Sequence, residues 1–309
     1  MKQIVVISGK GGTGKTVMTA CFAALSRNAV LADVDVDASN LHLLLHPEIQ
    51  ERHAFKSGQK ARIDGDQCTA CGLCLPLCRA GALTADDTGR ASVDPLSCEG
   101  CGVCFHVCPV KAVALEVPTS GEWYVSRTQY GPFVHARLGI GEENSGKLVT
   151  EVRKKAREIA ELGGREVLIM DGSPGIGCPV IASLTGTDLA LVVTEPTPSG
   201  THDMERIVEL GHHFKIRLAC CINKYDINRD SSDGIESWCR ARSIPVVGKI
   251  PFDPAVTESV VRGIPYVEYR SNSSANEIRR MWSSLLKLAI EQNGRYRMDP
   301  VAGLEKNKD

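Results

Sequence analysis

Residues Gly9-Lys10-Gly11-Gly12-Thr13-Gly14-Lys15-Thr16 satisfy the pattern G-x-x-x-x-G-K-[ST]. They stand between a short β-branched run, Gln3–Ser8, and the stretch Thr16–Ser26, whose apolar residues Val17, Ala20, Cys21, Ala24 and Leu25 recur at helical spacing. Strand, glycine loop and helix in that order constrain the chain to an α/β architecture built around a phosphate site. The glycines let backbone N–H groups point inward at phosphate, and the helix N-terminus adds a favourable partial charge. Lys15 is then placed to reach the β- and γ-phosphates, and the Thr16 hydroxyl to coordinate Mg²⁺.

Further along, apolar stretches end in carboxylates. Ala29–Ala32 runs into Asp33-Val34-Asp35-Val36-Asp37, where a parallel strand would end and where such sheets bind ligands. Val167–Met170 likewise delivers Asp171, followed by Gly172-Ser173-Pro174-Gly175. The alternation continues through strands at Leu189–Thr194, Arg217–Ile222 and Val246–Ile250. Helices are expected at Leu148–Leu162, His202–Phe214, Ile235–Arg242 and Ala275–Glu291. This predicts an α/β fold: a doubly wound, mostly parallel sheet covered on both faces, a P-loop NTPase architecture. Glu122–Lys147, with its Gly/Glu/Asn/Ser-rich part Gly139–Gly146, reads as a surface connection. The polar residues 293–309 read as a flexible C-terminal tail.

Between about Lys60 and Val117 the character changes to closely spaced cysteines and turn residues. Cys68-x-x-Cys71-x-x-Cys74-x-x-x-Cys78 recurs as Cys98-x-x-Cys101-x-x-Cys104-x-x-x-Cys108, with Gly72/Gly102 and Ala82/Ala112 in register. Three closely spaced thiolates can wrap one corner of a cubane, and the fourth, arriving from the other direction, suits the cluster of the other half. The expectation is therefore two [4Fe–4S] clusters, one on Cys68, Cys71, Cys74 and Cys108, the other on Cys98, Cys101, Cys104 and Cys78. Four cysteines can also hold zinc, but zinc sites rarely use this three-cysteine run. Pro109 follows Cys108 in the ferredoxin manner, whereas Arg79 follows Cys78. The expected organisation is an ATPase domain of residues 1–59 and 118–292, an inserted α+β ferredoxin-like domain at 60–117, and the tail. Cys21, Cys220, Cys221 and Cys239 fall on apolar faces and read as core; Cys178 is assigned no metal.

Lys10 extends the loop to K-G-G-x-G-K-T, which resembles the deviant phosphate loop of the ParA/MinD superfamily, a group that includes the nitrogenase iron protein and the Mrp/Nbp35 iron–sulfur carriers. Asp33-Val34-Asp35 resembles that family's first switch, Val167 to Gly175 its Walker B strand and second switch, and Val193-Thr194-Glu195-Pro196-Thr197 and Asn223-Lys224 further family segments. With the interrupted cysteine repeat, the chain resembles the subfamily carrying an inserted ferredoxin domain. The resemblance implies ATP and Mg²⁺ as cofactors and a dimer in which Lys10 crosses to the partner's nucleotide. It implies that Asp35 orients the attacking water, with Asp37 as the alternative register, while Asp33 and Asp171 serve the Mg²⁺ shell. The nucleotide would be held by Gly9 to Thr16, Thr194 and Asn223.

Two function classes follow. One is an ATP-hydrolysing, dimerising switch that couples nucleotide state to the iron–sulfur module, for ATP-gated electron transfer or metallocluster maturation. The other is a positioning or cell-division ATPase in which the clusters are structural or redox-sensing. The partner would be a second copy or a related ATPase, together with a redox or metallocluster protein. Thirty-six basic against thirty-seven acidic residues give no reason to expect nucleic acid. No apolar run approaches the roughly 20 residues of a spanning helix, so no integral membrane association is expected and a cytoplasmic location is. Residues 61–117 carry four basic and seven acidic side chains, a balance that could steer the module toward a basic partner.

Overall fold

The computed structural model describes residues 1–142 and 144–291. The expected tail at 293–309 lies outside them. The chain opens with β1 (Lys2–Ser8), α1 (Lys15–Leu25), β2 (Ala29–Asp33), a short α2 (His42–Leu45) and β3 (Glu48–Lys56). The cysteine-rich segment contributes β4 (Lys60–Ile63), β5 (Leu83–Ala85), β6 (Ala91–Val93), α3 (Val103–Val107) and β7 (Val113–Glu116). The hairpin β8 (Thr119–Thr128) and β9 (Gly131–Leu138) leads to α4 (Ser145–Leu162), β10 (Val167–Pro174) and α5 (Cys178–Leu184). The remainder is β11 (Leu189–Thr194), α6 (Pro198–His213), β12 (Arg217–Asn223), α7 (Arg229–Ala241) and β13 (Val246–Ile250). Three helices close it, α8 (Ala255–Val261), α9 (Tyr266–Tyr269) and α10 (Ser273–Ile290).

Nine strands form one sheet in the order β13-β12-β11-β1-β10-β2-β9-β8-β3, parallel from β13 to β9 and antiparallel for β8 and β3. Parallel strands need crossover helices, and helices on both faces bury both sets of side chains. Ile4 and Val6 of β1 accordingly join α1, α9 and α10 in one core, where Phe22 stacks on Trp282 with ring centroids 5.2 Å apart. Val5 and Ile7 point the opposite way, into a core built on α4, α5, α6 and α7. The chain thus places β1, β10 and β2 at the centre with their carboxyl ends side by side.

Two expectations are corrected. Glu122–Lys147 is no mere surface connection, because most of it is β8 and β9, which widen the sheet beyond β2. Gly131-Pro132 at the start of β9 and the polar His135 and Arg137 within it hide its apolar alternation. Helices also start earlier than their apolar periodicity does: Thr197, Asn228 and Asn272 cap α6, α7 and α10 through side-chain oxygens that accept N–H bonds from Gly200, Ser231 and Ala275. And the edge strand β3, polar on most of its length, went unread although it pairs with β8 over its whole span.

The cysteine-rich segment forms two small antiparallel pairs, β4–β7 and β5–β6. It leaves the sheet after β3 and returns into β8, neighbouring strands, so the excursion begins and ends at one sheet edge. Its two halves repeat in detail. The Asp64 N–H donates to the Ala112 carbonyl and the Asp94 N–H to the Ala82 carbonyl, and the N–H groups of Cys68 and Cys98 donate back to Asp64 and Asp94.

Candidate functional site

Gly14 ends the phosphate loop at φ +92°, a left-handed conformation that side chains with a Cβ disfavour. A Cβ there would also lie 2.5 Å from the Asn223 side chain, whose Nδ2 donates to the Thr13 carbonyl at 2.8 Å. Asn223, at the end of β12, therefore fastens the loop from below. The loop opens into a cavity of about 450 Å³ lined by Gly11 to Val17, Asp35, Asn40, Asn223 and Lys224, with Pro251, Phe252, Asp253, Val256 and Thr257 on the far wall. That far wall escaped the sequence reading. Its only signal is position, directly after the carboxyl end of the last strand.

Register brings the acids together: Asp171 on β10 pairs with Val6 of β1 and with Asp33 of β2. Lys15 Nζ lies 3.1 Å from Asp171 and 3.2 Å from Asp35, all three side chains being buried. Asp171 also accepts from Thr16 at 2.7 Å and from Thr19 at 3.0 Å. Burial opposes the Lys15 charge, yet the Asp171, Asp35 and Asp33 carboxylates together hold its pKa above the ordinary lysine value. Asp33 is fully buried and does not face the cavity: its oxygens accept from Asp35 N–H, Ser39 Oγ and Leu41 N–H, which pins the loop after β2. Burial, reinforced by Asp171, pushes the Asp33 carboxyl up to about 7. Asp35 lines the nucleotide cavity, whereas Asp37 is exposed and faces the neighbouring cleft. The segments that follow β2 and run through Asp171 are tied together, with Val34 N–H donating to the Asp171 carbonyl and Ser173 Oγ to the Val34 carbonyl.

Thr194 lies elsewhere than on the cavity wall; it is buried, its hydroxyl donating to the Gly200 carbonyl at 2.9 Å. Lys10 leaves the loop toward Glu195, 2.5 Å away. The Thr13 hydroxyl is buried without a partner among the described residues. A buried hydroxyl aimed out of a phosphate loop, a cation between carboxylates and an open cavity suit a magnesium–nucleotide complex.

In the small module, Cys68, Cys71, Cys74 and Cys108 line one cavity and Cys78, Cys98, Cys101 and Cys104 another, with Cys74 touching both. Each is a small cavity of about 20 Å³. Gly72 and Gly102 follow Cys71 and Cys101 at φ +71° and +77°. Backbone N–H groups of Ala112 and Ala61 point at Cys108 and Cys98 sulfurs, 3.2 and 3.5 Å away. Among the described residues no three His, Cys, Asp or Glu side chains converge as ligands of a single metal ion would. Cys21, Cys220, Cys221 and Cys239 are buried and Cys178 is exposed.

Fold and loop together define a P-loop nucleotide-binding protein. Residues 4–266 match the model of the CobQ/CobB/MinD/ParA nucleotide binding domain, and the chain belongs to that family. It is 32% identical over 289 residues to uncharacterized protein MJ0578 of Methanocaldococcus jannaschii, covering 92% of this chain and 96% of that protein. It is 23% identical over 312 residues to the iron–sulfur cluster carrier protein of Pyrococcus abyssi, covering 94% of this chain and 88% of the relative. The crystal structure of the Pyrococcus furiosus cell division ATPase MinD shares the fold with a TM-score of 0.56 at 18% identity, over 93% of this chain and 99% of that one. The chain is thus a ParA/MinD-type ATPase in fold. Among the described residues no helix is long and apolar enough to cross a membrane.

Proposed function

We propose that this protein is an ATP-hydrolysing, dimerising switch whose nucleotide state controls an inserted module carrying two [4Fe–4S] clusters, and that it delivers electrons to a redox or metallocluster partner. The observation that carries this reading is the gathering of eight cysteines around two small cavities, Cys68, Cys71, Cys74 and Cys108 at one and Cys74, Cys78, Cys98, Cys101 and Cys104 at the other, in a chain that also bears a phosphate loop. The iron–sulfur clusters, when bound, supply one-electron chemistry. The protein supplies thiolates and N–H groups directed at sulfur, which tune the potential.

On the nucleotide side, Gly9 to Thr16 would cradle the phosphates and Thr16 and Asp171 would hold Mg²⁺. Asp35, on the cavity wall, would orient water for attack, and Lys15 would turn from its carboxylate partners to phosphate oxygens. Asp33 acts one step back, by fixing the loop that carries Asp35. Coupling has a physical route. The loop after β9 lies between a cleft bounded by Asp37 to Asn40 and a pocket that includes Cys98, and its Glu142 pairs at 3.2 Å with Lys60 at the entrance to the module. Ala61, the next residue, directs its N–H at Cys98.

Anaerobic reconstitution followed by iron and sulfide analysis tests the assignment. About eight irons per chain are expected, falling to about four when Cys98, Cys101 and Cys104 are replaced by serine. One tightly bound zinc per cysteine quartet, with no sulfide, would overturn it. The Pyrococcus relative's description as a cluster carrier raises cluster delivery as a second use, which iron transfer to an apo-acceptor would reveal.

A further inference from the structure

Glu195 follows β11 on a turn held from three sides. Its carbonyl accepts from Thr197 N–H at 2.8 Å, the Thr197 hydroxyl accepts from Gly200 N–H at 3.1 Å, and the Thr194 hydroxyl donates to the Gly200 carbonyl. Gly200 packs so closely that an added Cβ would stand 2.4 Å from the Glu195 carbonyl. The Glu195 carboxylate, 14% exposed, is thus presented from a rigid support, and it engages two lysines at once. Lys10 Nζ lies 2.5 Å from one oxygen and Lys224 Nζ 3.1 Å from the other. Lys10 is further held by the hydroxyls of Thr197 at 3.3 Å and Ser199 at 3.2 Å, and Lys224 reaches the Gly12 carbonyl at 3.4 Å.

A lysine with a carboxylate and two hydroxyls of its own chain around its ammonium is committed within that chain. We infer that Glu195 is a positioning residue that latches Lys10 in its own protomer, so that Lys10 reaches a partner's nucleotide only after this pair has opened. The inference rests on the reading of Lys10 as the residue that crosses the dimer. The latch opposes dimerisation in the absence of nucleotide, and Lys224 remains to neutralise Glu195 once Lys10 departs. Glu195 touches neither nucleotide nor water in this role; it acts through Lys10 alone.

Sedimentation equilibrium with magnesium and a non-hydrolysable ATP analogue tests this. Glu195→Gln removes the charge at nearly constant shape and is expected to dimerise at a concentration about three- to tenfold below that of the unsubstituted protein, the range a partly exposed ion pair can supply. In a Lys10→Ala background the same substitution is expected to change nothing, because the lysine it releases is absent. Glu195→Asp, one methylene shorter, should give a smaller shift of the same sign and serves if the glutamine variant does not fold. An E195Q protein that dimerises no more readily than the parent, or that shifts equally in K10A, overturns the latch. If K10A alone dimerises as readily as the parent, the cross-dimer role of Lys10 fails and the latch with it. If K10A is impaired while E195Q is neutral, only the latch fails.

Discussion

Lys15 holds together three carboxylates that could not otherwise be buried side by side. With Asp35 and Asp171 within 3.2 Å and Asp33 beneath them, removing the ammonium leaves like charges facing one another out of water. Lys15→Met is therefore expected to abolish ATP hydrolysis and to destabilise the nucleotide-free protein by about 3–5 kcal/mol at pH 8. The destabilisation should shrink at pH 5, because burial raises the Asp33 and Asp35 carboxyls and lets them take up protons; equal losses at both values in a denaturant titration would contradict this account. His135 makes a separate residue-scale case. It is buried in β9, stacked between Phe133 and Tyr124, with Nε2 3.0 Å from Ser126 Oγ. Burial, with a small contribution from His42, lowers its pKa to about 4. The unfolded chain takes up this proton near pH 6.5 and the folded chain only near pH 4, so His135 withdraws stability as pH falls through that window. His135→Phe should flatten the loss of stability between pH 7 and pH 5, read from unfolding midpoints; an unchanged slope would show that His135 does not cause it.

Elements decide how the site reaches the module. β2 ends at Asp33 and leads into the loop that carries Asp35, β9 lies beside it, and the loop after β9 offers Glu142 to Lys60. Glu142→Gln should leave ATP hydrolysis in place while reducing any nucleotide-dependent change in the cluster on Cys98, measured by electron paramagnetic resonance of the reduced protein. A variant that responds to ATP as fully as its parent would exclude this route. These elements were also the least legible in the sequence. The strands β1, β2, β10, β11 and β12 announce themselves as continuous apolar runs because both of their faces are covered, and the acids that end β2 and β10 could be read with them. β3, β8 and β9 lie at the open side, where one face needs no helix, and polar residues such as Glu51, Glu122 and Arg137 break their alternation. Asp35 was preferred to Asp37 by register alone, and the structure adds that Asp35 lines the cavity at the phosphate loop while Asp37 lines the neighbouring cleft. The far wall at Pro251 to Thr257 and the Glu195 turn left no motif, because their roles come from where the chain returns and not from a spacing.

At the scale of the whole molecule, two units of unequal means share one chain. The sheet has a core on each face, whereas the cysteine module buries mainly small residues, Ala61, Ala82, Ala91 and Ala112 with Val113. A unit with so little apolar burial needs cross-links, and the proposed cluster ligation would supply them. Removing iron with a chelator should open residues 60–116 to proteolysis while the sheet domain remains intact and still binds nucleotide. Equal resistance of the module with and without iron would argue that its fold does not depend on clusters. The module's surface exposes Leu73, Leu77, Leu96 and Phe105, so its loss of order should also be visible as increased aggregation.

The central claim is that nucleotide state and the iron–sulfur module are energetically linked. A potentiometric titration of the reconstituted protein, followed by electron paramagnetic resonance with and without magnesium ATP, measures that link directly. The account predicts a shift of about 40–130 mV in at least one cluster, the one-electron equivalent of the 1–3 kcal/mol by which coupled sites commonly influence each other. Two clusters that titrate identically in the presence and absence of nucleotide would contradict it.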